Sequence, residues 1–88
     1  MERSNFESFD ELYETMQRGN EIEFIFNSKK YFLLPFFENG QALGVVFGEH
    51  GTNDELICHS RQELYSINVD NKIFGEIVPD LKIIWRNF

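Results

Sequence analysis

The pattern Ser-x-x-Glu-Leu-Tyr occurs twice in this chain, at residues 8–13 and again at 60–65. Each copy is a helix start. The serine hydroxyl can accept from the backbone N–H three residues on. The glutamate can reach back to the serine N–H, so two orphaned donors are satisfied together. The two starts bracket an aromatic, strand-like middle, and that order predicts an α+β fold. The residues that follow the copies, Glu14-Thr15-Met16 and Ser66-Ile67-Asn68, do not match. The repetition is therefore two uses of one good helix start and not a duplication.

The first helix is expected from about Phe9 to Arg18. Phe9, Leu12, Tyr13 and Met16 recur at i, i+3, i+4 and i+7, which makes one apolar stripe. Gly19 supplies a left-handed stop. Glu7, Asp10, Glu11 and Glu14 fall on the opposite side, where early acids suit the helix dipole.

The period then changes from 3.6 to 2. In 21–26, Ile22, Phe24 and Phe26 share one face, and Glu21 and Glu23 the other. Asn27-Ser28-Lys29-Lys30 is a polar break of hairpin length. Residues 31–37 are apolar on both faces, with Tyr31, Leu33 and Phe37 on one and Phe32, Leu34 and Phe36 on the other. Pro35 implies a bulge or an edge position. Asn39-Gly40 is a strong hairpin signal, and it leads into 42–47 with Leu43, Val45 and Phe47 aligned. The expected sheet is antiparallel with three or four strands, 55–59 being the fourth. Beyond it, a two-turn helix starts at Arg61, and a further helical turn at 73–78 ends at Pro79. Residues 81–85 are a candidate final strand with Leu81, Ile83 and Trp85 facing the core.

Eighty-eight residues make one domain, 1–88, with a small core. Ten Phe, three Tyr and one Trp bury much area per residue, which helps a short chain offset its conformational entropy. The single Cys58 excludes an intrachain disulfide and fits a reducing compartment. The polar N-terminus lacks the basic start and apolar run of a signal peptide, and no apolar stretch reaches membrane-spanning length. A cytoplasmic protein is expected. The net charge of −7 argues against direct nucleic-acid binding and against anionic membranes.

Reactive constellations are scarce. Cys58-His59 is the one adjacent pair with ligand character, and alternation along a strand sends the two side chains to opposite faces. His50 is the one further candidate. A metal or small-molecule module built on His50, Cys58 and His59 is thus the alternative to the simpler reading of a buried cysteine with surface histidines. The paired carboxylates read as solvated faces. No glycine-rich phosphate cradle, calcium loop or other cofactor motif is present, so no cofactor and no catalytic residue is expected.

The segments Phe6–Leu12, Gly19–Phe24 and Asn27–Phe32, with Glu63-Leu64 and Lys72–Ile77, resemble a group of short, uncharacterised α+β proteins of Gram-positive bacteria and their mobile elements. That resemblance implies an accessory or inhibitor role and brings no site residues with it. Composition and resemblance together predict a protein that acts by binding another protein. The acidic face of Glu7, Asp10, Glu11 and Glu14 is one candidate surface. The sheet is the other. Two short helices can hardly cover both its sides, so either a helix lies on each side or one face is buried in a partner, most simply in a homodimer.

Overall fold

The computed structural model describes residues 5–86. Helix α1 spans Phe9–Gln17 and buries Phe9, Leu12, Thr15 and Met16. Gly19, at φ +87°, ends it, and its N–H donates to the Met16 carbonyl at 3.0 Å. Strands β1 (Ile22–Phe26), β2 (Lys29–Glu38), β3 (Gln41–Glu49) and β4 (Glu55–Cys58) follow. Then come α2 (Arg61–Tyr65), a small hairpin of β5 (Asn68–Val69) and β6 (Lys72–Ile73), and α3 (Phe74–Ile77). A 3-10 turn, Val78–Asp80, leads into β7 (Lys82–Arg86).

Both repeated helix starts are built alike, and both differ from expectation by one residue. Ser8 Oγ accepts from the Glu11 N–H at 3.2 Å, and Ser60 Oγ accepts from the Glu63 N–H at 3.1 Å. The glutamates, however, accept from the residue before the serine. The Glu7 N–H donates to Glu11 at 2.8 Å, and the His59 N–H donates to Glu63 at 2.7 Å. Each serine is fully extended (ψ 162° in both), and the longer reach of the glutamate secures the approach to the helix as well as its first turn.

The main sheet has five strands in the order β4-β3-β2-β1-β7, all neighbours antiparallel. It is one strand larger than the upper expectation because the candidate final strand joins it beside β1. The break at 27–30 is only a two-residue turn: Asn27 and Ser28 take φ +52° and +67°, the mirror-image geometry that matches strand twist. Lys29 and Lys30 are therefore in β2. Pro35 lies beyond the last β1–β2 pair, Ile22 with Leu33, where β2 has β3 alone as a neighbour. A proline is tolerated there because no second ladder needs its missing N–H. The register then shifts after Phe36, with Phe36 opposite Gly44 and Phe37 opposite Ala42. Leu43 is the extra residue, so only Val45 and Phe47 of the expected trio reach the core.

A second shift corrects the reading of Trp85. Glu23 pairs with Trp85, but Phe24 pairs with Ile83. Ile84 is the bulged residue, and it inverts the alternation. Leu81 and Ile83 are buried as expected, whereas Trp85 turns to the other face and is 44% exposed. The Ile83 N–H on this edge strand donates to Asn5 Oδ1 at 3.1 Å, which blunts an otherwise open edge.

The core is aromatic. Ile22, Phe24, Tyr31, Leu33, Val45, Phe47 and Ile83 face the helices, which bring Phe9, Leu12, Met16, Leu64, Phe74 and Ile77. Phe74 is fully buried, with ring centroids 5.7 Å from Phe47, 5.9 Å from Phe24 and 6.3 Å from Phe9. The two helix starts meet here. Tyr65 sits edge-on to Phe9 at 5.1 Å. Arg61 lies over the rings of Phe9 and Tyr13 and pairs with Asp10.

Candidate functional site

All three helices contribute to that one core, so the described elements cover one side of the sheet only. Residues paired across the strands share a face. Ile25, Phe32, Leu34, Phe36, Val46, Ile57 and Trp85 therefore form the opposite one. Ile57 is 48% exposed, and the first five are only partly buried. The Phe32 ring lies over Gly48, at a place where any Cβ would collide with it. The absence of a side chain at Gly48 makes room for the ring. Of the two sequence-level alternatives for covering the sheet, a helix on each side is thus not realised among the described residues.

The outward residues of β2 read Lys30, Phe32, Leu34, Phe36 and Glu38. Phe37, between the last two, points to the helix side, where its ring lies beside Gly19. This row is symmetric about Leu34 in its apolar members and opposite in charge at its ends. Lys30 and Glu38 are both exposed.

The acidic side of α1 is exposed, and part of its charge is already answered. Asp10 pairs with Arg61, and Glu14 accepts from Arg18 at 3.4 Å. Glu11 is occupied as a cap. Such exposed pairs contribute little stability, but they reduce the negative field that a basic partner would meet.

His50, Cys58 and His59 do not converge. His50 stands edge-on to Phe32 at 5.4 Å and lies 3.8 Å from Glu23 on the open face. Cys58 pairs with Val45 on the core side and is buried, while His59 is exposed beyond the strand. Burial pushes the Cys58 thiol above its ordinary pKa, and the nearby Glu63 charge adds to this. That environment is the reverse of what an activated thiolate needs. Among the described residues no three His, Cys, Asp or Glu side chains are placed to hold one metal ion.

A cleft of about 480 Å³ opens where β2, β3 and β4 meet the β5–β6 hairpin. Its floor is Tyr31, Phe47, Leu56 and Val69. Glu49, Asp54 and Asp70 stand around it, while Glu55 borders it from β4 with its side chain, opposite Gly48, on the open face. Lys29 lies at the rim, 3.9 Å from Asp70, which also accepts from Asn27. Burial raises the Tyr31 pKa, and the charges of Glu49 and then Asp70 raise it further. No sequence motif marks this cleft, because its members are drawn from four strands and two turns. Among the described residues no helix is long and apolar enough to cross a membrane. Comparisons with protein-family models, with curated proteins and with solved structures find no match to this chain.

Proposed function

We propose that the protein acts by protein–protein association, and that the open face of its sheet binds a second copy of the chain. The observation that carries this reading is the row Lys30-Phe32-Leu34-Phe36-Glu38. A two-fold axis that crosses β2 at Leu34 sets Leu34 on Leu34, Phe32 on the partner's Phe36 and Lys30 on the partner's Glu38. Such a self-complementary patch is what a two-fold interface requires.

The size fits as well. The five strands hold 33 residues, and at about 3.4 Å along the strand and about 4.8 Å across it for each they project about 540 Å². Stable interfaces of standard size use about 800 Å² per partner. Face-to-face sheets about 10 Å apart would turn the partly buried residues into a second core. The proposal assigns no catalytic step to the chain.

Sedimentation velocity across a concentration series tests it. The expected result is a species of twice the chain mass whose fraction grows with concentration. A single-chain species at every concentration into the hundreds of micromolar contradicts the proposal, and a different protein would then have to cover this face.

A further inference from the structure

We propose that the cleft between the β2–β3–β4 end of the sheet and the β5–β6 hairpin binds a primary alkylammonium group, carried by a small free amine or by a lysine side chain of a partner. Acidic walls alone would not support this, since most carboxylates simply face solvent. The second observation is Tyr31. It is only 5% exposed, yet its hydroxyl makes no hydrogen bond among the described residues. Among the described residues no fully enclosed side-chain polar atom lacks a partner, so this hydroxyl is open to solvent, and Tyr31 lines the cleft. A tyrosine hydroxyl has one donor and two acceptor positions. Set between the fields of Glu49 and Asp70, it can donate to a carboxylate and accept from an ammonium N–H.

The kind of cation follows from the spacing and the floor. Glu49 and Asp54 have no side-chain hydrogen bond or ion pair among the described residues. They surround the cleft without converging on a point that would hold one metal ion. Charges spread around an apolar floor suit a cation with a body. Phe47, Val69 and the 54%-exposed Leu56 offer that body an alkyl-sized surface, and long amines bury their stems while the head stays polar. Lys29 supplies an internal precedent, since its own ammonium already rests against the Asp70 wall. The site lies on the helix side of the sheet, so it stands independently of the proposed dimer face.

Amide NMR titrations of the full chain test the inference, using 1,5-diaminopentane and Nα-acetyl-lysine methylamide as probes at ionic strength held constant with sodium chloride. Saturable one-to-one shifts are expected at Tyr31, Glu49 and Val69. Tyr31→Phe keeps the ring and loses the hydroxyl, and it should weaken binding about fivefold, as should Glu49→Gln. Lys29→Ala should tighten it by removing the competing cation. Tighter binding of the diamine supports the site with a free amine as its ligand; equal or tighter binding of the capped lysine supports it with a partner's side chain. Shifts that fail to saturate, that sodium or magnesium chloride reproduces, or that both Tyr31→Phe and Glu49→Gln leave unchanged would overturn the inference.

Discussion

Leu34→Glu is expected to convert the protein to a monomer, weakening self-association at least a thousandfold, or about 4 kcal/mol. Leu34 sits where the proposed two-fold axis crosses the sheet, so each dimer would carry two glutamates face to face in an apolar centre. Burying such charges without partners costs several kcal/mol per ion, and their mutual repulsion adds to it. In the single chain the same position is only partly buried, and a glutamate there can remain in water. The monomer should therefore keep its far-UV circular dichroism. Analytical ultracentrifugation of the variant beside the wild type reads the first effect, and circular dichroism reads the second. A Leu34→Glu protein that still sediments as a dimer would place the interface elsewhere.

Phe74→Ala should have the largest effect on folding, a loss of about 3–5 kcal/mol. Phe74 is fully buried and touches aromatic rings from α1, β1 and β3. Its removal leaves a cavity at the junction of helices and sheet. Domains of this size are stable by only about 5–15 kcal/mol, so the variant should melt at least about 12 °C lower. The comparison is best made in the Leu34→Glu background, where association does not add concentration-dependent stability. Phe37→Ala is the control. Phe37 is 48% exposed, and its loss should cost less than about 1.5 kcal/mol. Urea denaturation with an unchanged m-value checks both. A Phe74→Ala protein within about 1 kcal/mol of its parent would contradict the core described above.

Much of this fold was legible in the chain because its signals are local. The serine caps mark the starts of α1 and α2, Asn39-Gly40 marks one hairpin, and alternation sorts Tyr31 and Leu33 from Phe32 and Leu34. What stayed hidden depends on pairing. Trp85 has the right parity for the core, and only the bulge at Ile84, set by the partner strand, turns it outward. Leu43 is displaced in the same way. Asn27-Ser28 did not read as a two-residue turn because serine seldom takes a positive φ. The β5–β6 hairpin, with two residues in each strand and positive φ at Asp70 and Asn71, is too short for any period to mark it.

The surfaces divide along the same line. An apolar outward row on β2 was visible from alternation, and so was the shortage of helices to cover it. That every helix chose the same side was not visible, since period 2 defines two faces without saying which is covered. The acidic cleft was invisible because Tyr31, Glu49, Asp54 and Asp70 meet only after the sheet forms. The helix acids were easy to see, but Arg61, distant in sequence, folds back onto Asp10.

The most direct test of the two-fold sheet interface is a charge exchange across it. Dissociation constants would be measured by sedimentation for the wild type, Lys30→Glu, Glu38→Lys and the double variant. Both residues are exposed in the single chain, so folding is not at stake. Each single change sets like charges together at both ends of the interface and should weaken association about tenfold. The double variant restores both pairs with their signs reversed and keeps the net charge of −7. It should therefore bind nearly as well as the wild type. If net charge alone governed association, Glu38→Lys would strengthen it. That outcome, or a double variant weaker than both singles, would contradict the account.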